Sequence, residues 1–273
     1  MSRYAYATLV TNADYATGAV ALVRSLRHSG SGADILVMHT GGVEKAVLEP
    51  LSVLGAHLMP VELLPTSDAF NERHARARLH AAAPFTKGTK PAFHTPLDNF
   101  AKLRLWQFTD YERIVFIDAD AIAVKNIDRL FRYPEFSAAP NVYEGLADFH
   151  RLNSGVFVAE PSEKTFAAML ERLDAPEAFW QRTDQTFLQA FFPEWHGLPV
   201  HFNMLQYVWF NLPELWDWNS VSVVHYQYEK PWEADHPRAD RLLPLIELWR
   251  AFHEGSSIPD ISALPNPAPR EAR

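Results

Sequence analysis

The sequence predicts an α/β protein whose Rossmann-like N-terminal half is built on a parallel sheet with helices on both faces. Three observations carry that expectation. Short apolar runs alternate with amphipathic stretches through the first third of the chain. The apolar runs are rich in β-branched and aromatic residues. A later run of the same kind, Arg113 to Ile117, stops on a pair of aspartates. Alternation at this spacing is the pattern of successive βαβ units.

Taken in order, Tyr4 to Thr11 (YAYATLVT) reads as a buried strand. Asn12 and Asp14 can cap a helix carrying Ala19, Val20, Leu22, Val23 and Leu26, and Ser29-Gly30-Ser31-Gly32 ends it. Ile35 to Met38 is the next strand, Val43 to Leu54 a helix and His57 to Leu64 another strand. No GxGxxG follows the first strand, so the dinucleotide fingerprint is absent. After an interruption at 66–96, Leu97 to Phe108 reads as a helix, with Leu97, Phe100, Ala101, Leu105 and Phe108 on one face. Val221 to Val224 is a short apolar strand. The final residues, with Pro259, Pro265, Pro267 and Pro269, read as a loose tail. The expected organisation is one domain over residues 1–254 and a Pro-rich tail over 255–273.

Size and charge narrow the function classes. A chain of 273 residues can bury roughly three quarters of its unfolded surface without disulfides or structural metal. A net charge of −8 argues against a protein built to hold nucleic acid. With no cysteine there is no disulfide, iron–sulfur cluster or thiol nucleophile. MSRYAYATLV does not read as a signal peptide, and no apolar run approaches 18 residues, so a cytoplasmic protein without a transmembrane segment is expected. Within this acidic chain, residues 66–96 are locally basic: Arg73, Arg76, Arg78, Lys87 and Lys90 face only Asp68 and Glu72. The segment is either a solvated excursion or a basic loop or lid over an anionic ligand.

Asp118-Ala119-Asp120 is the informative triplet. Two carboxylates spaced i, i+2 at the end of a buried strand, followed by Ala121, Ile122, Ala123 and Val124, need a partner. A divalent cation could bridge them, and ligands of open α/β sheets sit beyond the carboxyl ends of strands. By itself the triplet is equally a strand end with two solvated acids. Downstream, His225-Tyr226-Gln227-Tyr228-Glu229-Lys230-Pro231-Trp232 supplies an imidazole and an ammonium. Each alone is unremarkable. With the aspartates they make a consistent kit, two carboxylates and an imidazole for a Mn²⁺- or Mg²⁺-type ion and a cation for a diphosphate.

These pieces, in this order, resemble the retaining glycosyltransferases of the glycogenin and galactinol synthase family, glycosyltransferase family 8. The resemblance spans most of residues 4–232. It rests on Thr8-Leu9-Val10-Thr11-Asn12-Ala13-Asp14-Tyr15, Ala101-Lys102-Leu103-Arg104-Leu105-Trp106, the DxD of Asp118-Ala119-Asp120 with Asn126-Ile127-Asp128, Asn153-Ser154-Gly155-Val156-Phe157, Asp184-Gln185, and the His225…Lys230-Pro231-Trp232 ending. Tyr228 and Glu229 depart from the pattern, because many members place a glycine between the histidine and the lysine. Asn141 stands where some members carry an aspartate. No tyrosine matches the self-glucosylated one of glycogenin, and Tyr207 reads as part of a packed aromatic segment.

The resemblance implies a GT-A fold, a single domain with a central, mostly parallel mixed sheet flanked by helices. It implies transfer of a hexose, glucose or galactose, from a UDP-sugar to a hydroxyl acceptor (a sugar, polyol or glycan) with retention at the anomeric carbon. Asp118, Asp120 and His225 would hold Mn²⁺ or Mg²⁺. Thr8, Asn12 and Tyr15 would hold the nucleoside, with Ala119 and Gly155 lining the donor site. Lys102, Asn153 and Asp184 would bind sugar hydroxyls, Gln185 would sit at the anomeric carbon, and Lys230 would assist as the diphosphate leaves. The tail holds two acidic and two basic residues and no aromatic, which disfavours electrostatic membrane attachment and favours a soluble acceptor. Homodimer formation stays open. The competing readings are a non-catalytic sugar-nucleotide-binding protein and a phosphohydrolase with Asp118 as nucleophile and Asp120 as acid.

Overall fold

The computed structural model describes residues 3–82, 91–269. Strand β1 (Tyr4–Val10) runs into helix α1 (Ala13–His28), whose N-cap Asn12 accepts from the Tyr15 amide, as its position predicts. Strand β2 (Asp34–His39), helix α2 (Lys45–Val53) and strand β3 (His57–Pro60) complete the Rossmann-like half. β3 stops four residues short of the expected Leu64.

The basic segment contains two short helices, α3 (Asp68–Arg73) and α4 (Arg76–Ala82). Lys87 and Lys90 lie outside the described residues. The expected helix at 97–108 is instead a long 3₁₀ stretch, Pro96–Gln107. Phe100, Ala101, Lys102, Leu103, Leu105 and Trp106 are all buried there, so burial wraps around the axis and no single apolar face selects the 3.6-residue period.

Strand β4 (Arg113–Ile117) delivers the aspartates, and β5 (Ala121–Ala123) follows at once. After β6 (Ser137–Pro140), β7 (Leu152–Ala159) is buried along its whole length. Helices α5 (Glu163–Leu173) and α6 (Asp184–Phe191) precede β8 (His196–Gly197) and β9 (Met204–Leu205). Helix α7 (Val208–Asn211), β10 (Val223–His225) and α8 (Ala239–Glu254) close the described core.

The main sheet has the order β3-β2-β1-β4-β7-β6-β8, parallel from β3 to β4, with β7 antiparallel to both of its neighbours. A small second sheet, β5-β10-β9, carries the chain beyond β4 back against the downstream histidine. One apolar cluster lies under α1 and α2, another under the 3₁₀ stretch, α5 and α6, and a third, rich in tryptophan, around α8. The tail is docked, contrary to the expected loose end. Ile258, Ile261 and Leu264 pack on the third cluster, and the Trp218 indole donates to the Pro265 carbonyl.

Candidate active site

The reversal of β7 builds the site. Because Ile117 pairs with Val156 in antiparallel register, the beginning of β7 lies beside the end of β4. Asn153 and Ser154 thereby reach the space just past the carboxyl ends of β1 and β4, where open α/β sheets bind ligands. Two main-chain bonds fix the aspartate turn. The Asp118 amide donates to the Gly155 carbonyl at 2.8 Å, and the Tyr226 amide donates to the Asp120 carbonyl at 2.8 Å. The carboxylates therefore converge through a turn between β4 and β5 rather than by alternation along a strand.

Asp118, Asp120 and His225 offer ligand atoms that all lie within 4.8 Å of one another. Nε2 of His225 is 3.2 Å from Asp120 and 3.9 Å from Asp118. The state of that nitrogen follows from a chain of amides. The Gly155 backbone N–H donates to Oδ1 of Asn153, so this oxygen is an acceptor beyond doubt. Asn203 must then present its Nδ2 there, at 2.8 Å, which turns its Oδ1 toward Nδ1 of His225, at 2.9 Å. Nδ1 consequently donates to Asn203, which leaves Nε2 as the ring nitrogen facing the carboxylates and the one available to a metal. Two carboxylates and such an imidazole suit a Mn²⁺- or Mg²⁺-type ion. Gly155 is required at its position because a β-carbon there would overlap the His225 ring.

The cations are shared out between these acids. Lys102, from the 3₁₀ stretch, bridges Asp118 at 3.1 Å and Asp184 at 2.8 Å. Burial by itself would lower the Lys102 pKa, but the two carboxylates outweigh it and raise it above the ordinary lysine range. Burial likewise pushes the Asp120 carboxyl up, yet Lys230 and His225 hold it well below the usual carboxylate range. Lys230 is fully enclosed, ion-paired with Asp120 and donating to the Tyr226 carbonyl at 3.0 Å. Asp184 begins α6, where the helix N-terminus favours negative charge. Both of its oxygens are taken: Ser154 and Thr183 donate to them at 2.7 and 2.9 Å, and Lys102 adds its charge.

One cavity is lined by Tyr15, Lys102, Asp118, Ala119, Asp120, Asn153, Asp184, Gln185 and His225, so most residues singled out in the sequence meet there. Four do not line it. Thr8 points to the opposite face of β1, and its neighbours Leu9 and Thr11 line the cavity instead. Asn12 is occupied in capping α1 and donates to the Phe93 carbonyl. Gly155 makes room for His225, and Lys230 stands behind Asp120. Asn141 is buried outside the cavity, accepting from Asn153 at 3.0 Å. Tyr207 is a packed residue whose hydroxyl donates to Glu229 at 2.6 Å.

Sequence reasoning missed His94, Tyr143, Arg182 and Gln227, which also line the cavity. His94 lies 3.2 Å from the Tyr15 hydroxyl. A lone histidine, tyrosine or arginine in a loop carries no periodic signal. Only the positive backbone angle of neighbouring Thr183 (φ 49°) marks Arg182 locally, and that is invisible in sequence.

The chain is 31% identical over 245 residues to UDP-glucuronate:xylan alpha-glucuronosyltransferase 1 of Arabidopsis thaliana, covering 84% of this chain and 32% of that protein. It is 30% identical over 226 residues to glycogenin-1 of Oryctolagus cuniculus, covering 83% of this chain and 59% of that protein. The chain thus spans less than two thirds of the length of either relative. The solved structure of the galactosyltransferase LgtC superposes with a TM-score of 0.61 at 15% identity, covering 94% of this chain and 98% of that one. The fold is therefore GT-A. The glycosyl transferase family 8 model matches residues 7–236, and the chain belongs to that family.

Proposed function

We propose that this domain transfers a hexose from a UDP-sugar to a hydroxyl acceptor, with retention at the anomeric carbon and dependence on a divalent cation. The observation that carries the reading is the Asp118/Asp120/His225 triad, with its imidazole tautomer set by Asn203, opening onto the same cavity as Asp184 and Gln185. A Mn²⁺ or Mg²⁺ ion held by those three residues would neutralise the diphosphate. Tyr15 provides a ring for the uracil, flanked by Leu9, Thr11 and His94. Asp184 and Asn153 face the sugar hydroxyls. Lys102 bridges Asp118 and Asp184 and places a buried positive charge beside the anionic donor. Lys230, enclosed behind Asp120, serves the diphosphate through that carboxylate rather than by direct contact.

The saturated hydrogen bonding of Asp184 supports direct front-face attack over a covalent intermediate, because a carboxylate with both oxygens engaged is a poor nucleophile. The bond from the anomeric carbon to UDP breaks as the acceptor oxygen bonds to the same face. The acceptor proton passes to the departing phosphate, and Gln185 lies beside the reacting carbon. The locally basic segment supplies one wall, since Leu79, His80 and His94 line the cavity. It fits the role of a lid that gains protection when the donor binds. Arg182 at the rim favours one second reading, a uronic-acid donor whose carboxylate it would pair, in keeping with the name of the Arabidopsis relative.

Melting curves with UDP, with and without Mn²⁺, followed by UDP release from UDP-glucose, UDP-galactose and UDP-glucuronate, test all of this. UDP at a hundred times its Kd should add about 2.7 kcal/mol of stability, and only with the ion present. Equal stabilisation in excess EDTA would sink the metal bridge. Tight binding without UDP release would leave a binding module. A preference for UDP-glucuronate lost in Arg182→Ala would select the second reading.

A further inference from the structure

Resting on that transferase reading, we propose that the acceptor is a pyranoside, held against an aromatic wall of Tyr228 and Tyr143 with its hydroxyls read by Gln227. The observations begin with the backbone. Tyr228 has φ 67°, left-handed space that a bulky residue rarely occupies. Such strain persists where the surroundings enforce it, and it clusters at functional sites. The surroundings here are aromatic on two sides. The Tyr228 ring lies 5.3 Å from that of Tyr207, at 21°, and 5.8 Å from that of Tyr143, at 62°. Tyr207 is itself anchored through its hydroxyl to Glu229. Tyr228 and Tyr143 both line the cavity, and Tyr143 reaches Asn153 in the amide chain behind the site.

Gln227 is the second, independent observation. It is 4% exposed and lines the same cavity, yet neither its Nε2 nor its Oε1 has a partner among the described residues. A buried amide with both ends unsatisfied is costly unless a ligand completes it. It offers one donor and one acceptor side by side, which matches a hydroxyl pair on a sugar ring. The two tyrosines offer apolar ring surface, which complements the C–H face of a pyranose and has no counterpart in an open-chain polyol. Gln227 and Tyr228 follow His225 by two and three residues, so this wall stands directly beside the metal triad. Leu146 and Phe149, on the loop that carries Tyr143, are exposed apolar side chains.

Saturation-transfer NMR on the full chain with UDP and Mn²⁺, using methyl xylopyranoside, methyl glucopyranoside and glycerol as probes, tests the wall without requiring turnover. Wild type should saturate the axial C–H protons of at least one pyranoside and leave glycerol silent. Tyr228→Gly and Gln227→Ala should each weaken that pyranoside at least tenfold, and Tyr228→Phe should keep it. Gln227→Ala deletes a buried amide that has no partner among the described residues, so its melting temperature should stay level or rise while binding falls, which separates a ligand role from a structural one. No pyranoside signal in wild type, or equal signals in the variants, would overturn the proposal even if UDP-sugar turnover is found. Pyranoside binding that depends on Tyr228, without UDP release from any UDP-sugar, would overturn the transferase reading and leave the sugar site standing.

Discussion

Asn203 decides the state of His225 without touching the space where an ion would lie. Its carbonyl oxygen is turned to Nδ1 only because Asn153, itself pinned by the Gly155 backbone, demands the other end of the amide. Asn203→Ala should therefore weaken the response to Mn²⁺ by about 10–100-fold, the usual scale for a partner of a ligating histidine. Half-saturation in a melting-temperature titration with UDP present measures it, and an unchanged midpoint would refute the amide chain. Asp120 also bears on stability, because Lys230 has no exposure and is ion-paired with it. Asp120→Ala leaves an uncompensated buried ammonium and should cost about 3–5 kcal/mol. At about 2–4 °C per kcal/mol for a chain of this size, the midpoint should fall by on the order of 10 °C. Adding Lys230→Met should recover much of the loss. A double variant no more stable than Asp120→Ala would refute the charge argument.

At the scale of elements, α1 and the aspartate turn are in contact through a single glycine. A β-carbon at Gly18 would stand 2.5 Å from the Ala119 carbonyl oxygen and 2.9 Å from the Trp232 ring. Alanine is the better helix former by about 1 kcal/mol, but overpacking at such a contact costs about 1–3 kcal/mol. Gly18→Ala should lower the melting temperature and weaken the Mn²⁺ response together. A variant more stable than wild type would show that the turn can retreat freely.

The same elements show what the sequence could and could not reveal. β1, α1, β2, α2 and β4 were legible because each buries one kind of pattern and carries its own cap or break, as at Asn12 and Ser29. The Pro96–Gln107 stretch was misread because burial on all sides erases the period. The direction of β7 was not legible either, since a fully buried run reads alike in parallel and antiparallel sheets. In the candidate site, charged residues in recognisable order could be found: Asp118, Asp120, Asp184 and His225. Gln227 and Tyr143 could not, because an uncharged side chain becomes informative only once its burial and missing partners are known.

For the molecule as a whole, the C-terminal segment belongs to the core more than its composition suggests. Ile258, Ile261 and Leu264 each contribute partial burial against the tryptophan-rich cluster. At about 1 kcal/mol for each half-buried side chain, ending the chain at Gly255 should cost about 3 kcal/mol. Thermal unfolding of the shortened chain would measure this, and an unchanged midpoint would mean that the docked tail is thermodynamically idle. The pairing of Asp120 with Lys230, 110 residues apart in sequence, has a consequence in time. A ribosome adding about 5–20 residues each second needs about 5–20 s to travel from one to the other. For nearly all of that interval the aspartate turn exists without its lysine, its histidine or strand β10. The nascent protein can thus assemble its Rossmann-like half early, yet the buried Asp120–Lys230 pair closes only after residue 230 has been added.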